Sequence, residues 1–481
     1  MKYLRKFDSV SEMNTALASA TIDILALAYN GSTPVMRIKS GGSPVPPTPS
    51  YSTPFYVENI TQQNESLTID SADLSMSVPA SYLEIPVEYS TDGTTWSTLG
   101  TTGETPLTRT LQPGDKVYLR ATTNAWYEYQ DEPLIEHTCK IYGVSKVGGN
   151  IMSLLYGSNF TGNETTFPNG TNNNFTWLFT SGRENTELIS ASELILPATT
   201  LAESCYQGMF EGCTALTTAP ALPATTLATS CYSGMFYGCT ALTTAPSLPA
   251  TTLANNCYNG MFSECTSLTA APALPATTLA EDCYGGMFDN CTSLTTAPEL
   301  PATTLVDSCY EYMFAYCTSL TTAPELPATT LASECYKQLF EGCGSLTAAP
   351  AILPATTLAQ NCCENMFNGC SSLTTAPALP VTTLVEGCYQ SMFYGCTSLT
   401  TAPELPATTL VDYCYISMFS GCTNLNHIKC LATDISASNC TDSWVDGVAA
   451  TGTFVKDTNM SSWTTGNNGI PSGWTVQDAQ D

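Results

Sequence analysis

A repeat of 26 residues constrains this chain more than any other feature of its sequence. The first cysteine of each unit stands at positions 205, 231, 257, 283, 309, 335, 362, 388, 414 and 440, with one extra residue near Ile352. A second cysteine follows eight residues later in nine of these units. No unit of this size can bury its apolar residues alone, so the units must stack. The sequence therefore predicts a solenoid over residues 196–440, with nine full repeats and a degenerate tenth.

Each unit carries apolar residues at fixed spacings. Within residues 274–299, the offsets 0, 1, 4, 5 and 8 are occupied by Cys283, Tyr284, Met287, Phe288 and Cys291. That spacing follows one face of a helix. Six of nine units have an N-cap residue type before the first cysteine, and six have glycine before the second. We expect a short helix between the cysteines, followed by a short strand and a proline-bounded return.

The segment FDNCTSLTTAPELPATTLVDSCYEYMF, residues 288–314, resembles the leucine-rich repeats of the BspA-like type. These share a Cys-x-x-Leu, a Leu-Pro and an aromatic-Phe-x-x-Cys pattern. The resemblance covers about residues 175–481 and implies a right-handed α/β solenoid, in a family used for surface adhesion and recognition. We expect residues 146–195 to form a junction and N-terminal cap, and residues 441–481 to form a C-terminal cap.

Two smaller units precede the repeats. Residues 1–39 predict an anchor made of a short helix, beginning at the capping box Ser9-x-x-Glu12, and a β-hairpin. Residues 40–54 are rich in Gly, Ser and Pro and predict a linker. Residues 55–145 alternate strand-like runs with turn signals, which predicts an immunoglobulin-like β-sandwich. The predicted fold class is therefore multidomain.

The charge of the chain excludes several partners. A formal net charge of -28 repels nucleic acid phosphates, so no nucleic acid partner is expected. No run of 18 or more apolar residues is present, so no membrane insertion is expected either.

The head of the chain is basic, and this favours docking onto an acidic assembly, with ordinary scatter of charge as the alternative. The predicted docking residues are Lys2, Arg5, Lys6, Arg37 and Lys39.

The 22 cysteines admit three interpretations: zinc ligands, disulfides or buried thiols. Zinc sites usually contain closely spaced pairs with histidines, and the chain has only His137 and His427. Disulfides between neighbouring units would need Cβ atoms about 3.8 Å apart, whereas equivalent side chains in a stack run parallel. The N-terminal residues lack the pattern of a secretory signal, which favours a reducing compartment. We therefore predict buried, reduced thiols, with no metal and no other cofactor.

Recognition must then use residues that differ between units. From Leu196 to Asn426 these include 16 acidic residues and one basic residue, Lys337. Exposed tyrosines beside carboxylates suit sugars, whose rings stack on aromatic faces and whose hydroxyls need acceptors. A merely solubilising acidic surface is the alternative. The candidate ligand-binding residues are Tyr237, Asp289, Glu311, Tyr312, Tyr316, Tyr394 and Tyr413.

Catalysis is not expected, because the chain has no Ser/His/Asp set, no phosphate loop and no zinc signature.

The segments IYGVSKVGGNIMSLLYGSNF, ATGTF and NNGIPSGWTV resemble parts of repeat proteins from Bacteroides-type gut bacteria and their phages, including crAss-like ones. With the basic head and the linker, this predicts a virion fibre or decoration protein, assembled in the bacterial cytoplasm. Residues 1–39 would contact other virion proteins, and the solenoid would contact a host-surface glycan or protein.

A bacterial cell-surface adhesin of the BspA-like type is the alternative, and a purely structural virion component is a third interpretation. The adhesin would normally need an export signal or a lipobox cysteine near the N-terminus, and the first cysteine is Cys139. The sequence leaves a homo-oligomer open, because fibres are often trimeric but no heptad stretch is present.

Overall fold

The computed structural model describes residues 3–6, 24–30, 33–39, 51–73, 84–103, 105–121, 127–131, 134–168, 172–180, 185–460 and 463–480. The chain divides into two compact units, Met1–Ser50 and Tyr51–Asp481. The boundary falls inside the segment 40–54 that the sequence predicts as a linker.

The first unit contains a three-stranded sheet, and its strands are β1 (Tyr3–Lys6), β2 (Ile24–Asn30) and β3 (Thr33–Lys39). Strand β2 pairs antiparallel with β3, and Asn30 lies opposite Thr33, so the hairpin is present where the sequence predicts it. Strand β1, which the sequence did not predict, pairs parallel with β2. The predicted helix after Ser9 and the docking residue Lys2 lie outside the described residues.

The second unit begins with two β-sheets. Their strands are β4 (Tyr56–Glu58), β5 (Glu65–Asp73), β6 (Pro86–Ser90), β7 (Ser97–Thr101), β8 (Leu107–Leu111), β9 (Lys116–Ala121), β10 (Tyr127–Asp131), β11 (Leu134–Tyr142), β12 (Lys146–Asn150) and β13 (Ser190–Ile195). One sheet has the order β10-β11-β5-β8, and the other has the order β13-β12-β4-β9-β6-β7. Buried Phe55, Leu67 and Val87 belong to their core. The immunoglobulin-like character of this region stays a prediction.

A short connection leads from the sheets to the repeats. It contains the helix α1 (Ser153–Tyr156) and a 3-10 helix (Gly157–Asn159). Strand β12 pairs parallel with β13, which places the first repeat directly beside the six-stranded sheet. No helix in the described part of the chain has the length and hydrophobicity that a bilayer span requires.

The units over residues 196–440 lie on one another, and we call them the repeat stack and each unit a rung. One rung buries nine apolar side chains, which are Leu274, Ala276, Leu279, Cys283, Tyr284, Met287, Phe288, Cys291 and Leu294. The predicted apolar face is therefore confirmed as core. Equivalent rings stack from rung to rung, with centroids 5.7 Å apart for Phe262 and Phe288 and 5.8 Å apart for Tyr258 and Tyr284.

The predicted helix between the cysteines is wrong. Residues 281–290 and their equivalents form consecutive turns, which we call the turn segment of each rung. Alternate N–H groups donate within the rung, as from Met287 to the Tyr284 carbonyl at 3.2 Å, and the others donate to the next rung. Packed helices need axes 8–10 Å apart, whereas the stacked rings show rungs less than 6 Å apart. One helix per rung does not fit this spacing, and turns that bond to the next rung do.

The expected N-cap residues also have another role. Asp282 and its equivalents adopt positive φ, at +51° for Asp282, whereas an N-cap residue lies in the β region. Positive φ recurs at the fourth and eighth residues after it, at Gly286 and Asn290. Glycine, asparagine and aspartate tolerate this conformation best, which explains their frequency at these three positions.

The predicted strand in each rung is reduced to isolated parallel bridges. Examples join Thr304 to Thr330 and Thr322 to Ala348. Strands reappear only at the C-terminal end, as the parallel strands β14 (His427–Cys430), β15 (Thr453–Lys456) and β16 (Thr475–Asp478). Because residues 196–426 contain neither a helix nor a strand, the α/β description of the solenoid is wrong for the repeats.

All 22 cysteines are free and buried. The second cysteine of a rung donates its thiol proton to the phenylalanine carbonyl of the preceding rung, as from Cys291 Sγ to the Phe262 oxygen at 3.1 Å. The same contact recurs in rung after rung, for example from Cys317 Sγ to the Phe288 oxygen. The thiols thus act as small apolar groups with one weak donor, which is the role the sequence predicts. Among the described residues, no cluster of His, Cys, Asp and Glu could hold a metal ion.

Candidate ligand-binding groove

A run of glycines makes a depression along the turn segments. The third residue after the first cysteine is glycine in four successive rungs, at Gly208, Gly234, Gly260 and Gly286, all with positive φ. A Cβ atom at Gly260 or Gly286 would meet no atom within 4 Å, so the space above both is open. These four residues form the floor of a groove with a volume of about 510 Å³, which we call the turn-face groove.

One aromatic residue lies at each end of the glycine floor. Trp177 occupies the equivalent position in the N-terminal cap, and Tyr312 occupies it in the rung after Gly286, both with positive φ. The Trp177 indole lies against Gly208, where an added Cβ would come within 2.3 Å of it. Five rung steps separate the two rings, which at strand spacing is roughly 25 Å. The groove is therefore long and bounded by an aromatic side chain at each end.

The walls of the groove carry hydrogen-bonding side chains. Trp177 Nε1 donates to Glu211 Oε2 at 3.0 Å, and Asn259 Nδ2 donates to Asp282 Oδ2 at 2.9 Å. The absence of a side chain at Gly285 leaves room for the Asp282 carboxylate, because a Cβ there would lie 1.8 Å from Asp282 Oδ1. Each of these carboxylates keeps further lone pairs, so the walls can accept hydrogen bonds from a ligand.

The groove is acidic, and its carboxyls are poorly solvated. Burial raises the pKa of Glu211, Asp282 and Asp289 above the usual range. Glu311 is already paired with Lys337, whose Nζ lies 3.2 Å from Glu311 Oε1. A ligand that carries negative charge would meet unfavourable electrostatics here, whereas a hydroxyl donor would offset the desolvation of the carboxylates.

The backbone N–H groups of the floor are already paired and cannot donate to a ligand. Gly208, Gly234, Gly260 and Gly286 each donate their N–H to a carbonyl of the next rung, all at 2.8 Å. A bound peptide strand would need free backbone donors and acceptors at the edge of a sheet. Because the N–H groups of the floor are paired, a ligand must be recognised by the side chains of the walls and ends.

The predicted ligand-binding residues separate into two sets. Tyr237, Asp289, Glu311 and Tyr312 all line the turn-face groove. Tyr237 donates its hydroxyl to Glu264 Oε1 at 2.6 Å, which raises the pKa of Tyr237 to about 12.

The other three predicted residues lie outside the groove. Tyr316 covers Gly342, Tyr413 lines a separate polar pocket of about 300 Å³ beside Glu364, and Tyr394 is 46% exposed and lines neither cavity. Whether any of the seven binds a ligand stays a prediction.

The predicted docking residues Arg5 and Lys6 lie in β1, and Arg37 and Lys39 lie in β3.

The sequence did not predict several of the residues that line the groove. The sequence predicts Trp177 only as part of a cap, Asp282 only as an N-cap residue of the expected helix, and Glu211 only as one of the acidic residues of the repeats. The signal for the groove was nevertheless present: glycine occupies one repeat position in four consecutive units and tyrosine occupies it in the fifth. Each predicted helix would contain one of these glycines in its interior, at a cost of about 1 kcal/mol relative to alanine, whereas a turn with positive φ favours glycine.

Comparison with known proteins supports the repeat assignment. A family model described as a BspA type leucine-rich repeat region matches in six copies, within residues 187–321, 255–365 and 333–443. These ranges together cover more than half of the chain, including most of the turn-face groove. A search of curated proteins gave no match to this chain.

Proposed function

Because this chain belongs to the family of BspA-type leucine-rich repeat proteins, we propose that it is a non-enzymatic recognition protein whose repeat stack binds a cell surface through the turn-face groove. The observation that carries the proposal is the glycine floor between Trp177 and Tyr312. A stack that served only for solubility or spacing needs no such floor, since Gln338 occupies the same position two rungs beyond Gly286.

The family and the groove support the same kind of role. Repeats of this family are typical of surface or adhesion proteins, generally mediate interactions and are typically non-catalytic. The groove volume of about 510 Å³ is within the usual range for small-molecule sites. Its aromatic ends and its wall carboxylates suit recognition by stacking and hydrogen bonding. The partner in this proposal is a host-surface glycan or protein.

The location belongs to the proposal as well. The resemblance to repeat proteins of gut bacteria and their phages, together with the basic head, supports a virion fibre or decoration protein. In that arrangement residues 1–39 contact other virion proteins, and Arg5 and Arg37, which both align with Ala26 in the sheet register, belong to the docking unit. A cell-surface adhesin remains the alternative location for the same recognition function.

The groove can be tested by filling it. We expect Gly260→Gln to weaken binding of the full chain to cells of Bacteroides-type bacteria by about tenfold or more, because the new side chain stands in the middle of the floor. The fold should tolerate the change, since Gln338 already adopts φ of +55° at the equivalent position. The measurement is flow cytometry of labelled protein on whole cells over a concentration series.

A matched control places the same side chain outside the groove. Ser417 occupies the floor position of a distant rung with φ of +52°, so Ser417→Gln should leave cell binding within about twofold of the original chain. Equal losses in both variants, or no loss in Gly260→Gln, would contradict a role for the groove.

The location has its own test. We expect mass spectrometry of purified phage particles to detect this chain, and particles assembled with a chain lacking residues 1–39 to have lost it. If the truncated chain stays on the particles, residues 1–39 are not the docking unit. If the chain is found in the outer-membrane fraction of the bacterium and never in particles, the adhesin is the correct alternative.

A further inference from the structure

We propose that the turn-face groove binds a linear, uncharged glycan that runs along the stack, and that the run of floor glycines sets the length of glycan it accepts. This inference rests on the proposed function, because it names the ligand of the same groove. It commits to a glycan over a protein, and to a length of about four pyranose rings, one for each of the four rungs with a glycine floor.

The choice of a glycan follows from what the groove offers. The paired N–H groups of the floor exclude the addition of a peptide strand. Hydroxyl-rich ligands need acceptors along their length, and the walls supply them at Glu211 in the first rung of the floor, at Ser233 and Asn259 in the next two, and at Asp282 and Asp289 in the fourth. The flat rings of Trp177 and Tyr312 at the two ends can cover the apolar faces of terminal sugars.

The choice of an uncharged ligand follows from the charges. Within the described residues that line the groove there is no Lys, Arg or His, and Glu211, Asp282, Asp289 and Glu311 are all acidic. Uronic acids, sialic acids and phosphates would be repelled. A cationic peptide would be attracted, but it would lack both backbone partners and apolar side-chain pockets along the glycine floor.

The length limit follows from the position of Tyr312. This residue stands where the next glycine would be, with φ of +56° and 38% of its surface exposed. Its ring therefore stops a ligand that extends beyond Gly286. At the other end, Trp177 lies on Gly208 and is held by its hydrogen bond to Glu211. The first of the four sugars would therefore lie on the Trp177 ring above Gly208, and the other three would lie over Gly234, Gly260 and Gly286.

The test uses the full chain on an array of linear oligosaccharides of two to eight rings, in neutral and uronic acid series. We expect affinity for the neutral series to rise up to about four rings and then stay constant, with no binding of the uronates. Gly286→Gln removes one floor glycine and should move the plateau to about three rings. Tyr312→Gly adds one and should move it to about five, with weaker binding per ring because a stacking surface is lost.

Several outcomes would overturn the inference. These are equal binding of the uronates, affinity that does not level off with length, plateaus that do not move in the two variants, competition by oligolysine, or no binding of any neutral glycan at millimolar concentration. Ser417→Gln, outside the groove, should match the original chain. If whole-cell binding remains sensitive to Gly260→Gln while no neutral glycan binds, the proposed function stands and the glycan assignment fails.

Discussion

The repeat stack is expected to unfold when the pH is raised from 8 to about 10. Burial raises the pKa of every cysteine thiol apart from the adjacent Cys362 and Cys363, for example the pKa of Cys283 to about 12. In the unfolded chain a thiol titrates near pH 8.5. Above that pH the unfolded chain loses protons that the folded chain keeps, so stability falls as the pH rises.

The size of this effect comes from the number of thiols. One pH unit above the unfolded pKa, each buried thiol destabilises the fold by about 1.4 kcal/mol. Ten of them together reach on the order of 14 kcal/mol, which matches the whole stability of a typical domain. Burial also raises the pKa of tyrosines such as Tyr284, and these residues add to the loss of stability at higher pH.

The measurement is circular dichroism and intrinsic fluorescence against pH, at constant ionic strength and with reductant present. A variant with Cys239, Cys265, Cys291 and Cys317 replaced by alanine is the control. Although this variant is less stable at pH 7.5, its free energy of unfolding should fall less steeply between pH 8 and 10. An original chain that keeps its free energy of unfolding up to pH 11 would contradict the burial of the thiols.

Phe288→Ala is expected to lower the free energy of unfolding by about 3–5 kcal/mol. The ring is fully buried and stacks between Phe262 and Phe314, with centroids 5.7 and 5.6 Å away. Neighbouring rungs hold the backbone through the bond from the Phe288 N–H to the Met313 carbonyl at 2.9 Å, so the cavity cannot easily collapse. Because the cavity lies inside the stack, it weakens the interfaces on both sides of one rung.

Denaturant unfolding, followed by hydrogen exchange of the rungs on either side, measures this loss. Tyr394→Ala removes an exposed ring of similar size and should change the free energy of unfolding by less than about 0.5 kcal/mol. A loss below about 1 kcal/mol for Phe288→Ala would show that the phenylalanine ladder does not hold the rungs together.

The sequence was sufficient for the repeat, its period and its core. The columns of Cys, Tyr, Met and Phe are buried as predicted, because stacking forces every rung to use the same face. The helix was mistaken because offsets of 0, 1, 4, 5 and 8 fit a four-residue period as well as a helical one over so short a segment. The glycine at the fourth residue after the expected N-cap, as at Gly208, was a signal against a helix, whereas the glycine at the eighth residue, as at Gly212, fits a helix C-terminus equally well.

The groove was only half predictable. Tyr237, Asp289, Glu311 and Tyr312 could be proposed because they vary between units and are polar or aromatic. The turn segment places the second, third and sixth residues after the first cysteine on one surface. A helix would also have kept these positions within about 100° of one face. The sequence could not give the open floor above Gly260 and Gly286, because that space depends on the turns.

The one-directional bonding of the turn segments gives the stack an electrostatic polarity. Every inter-rung N–H in these segments points toward the C-terminal end, so the peptide dipoles of successive rungs add, as they do in a helix. The end beside the sheets is rich in acceptors, and there the Ile141 N–H donates to the Leu178 carbonyl at 2.7 Å. The opposite end is rich in donors, and the Ser443 N–H is satisfied by Asn468 Oδ1 at 2.8 Å. Two such stacks could therefore associate end to end only with the donor-rich end of one against the acceptor-rich end of the other.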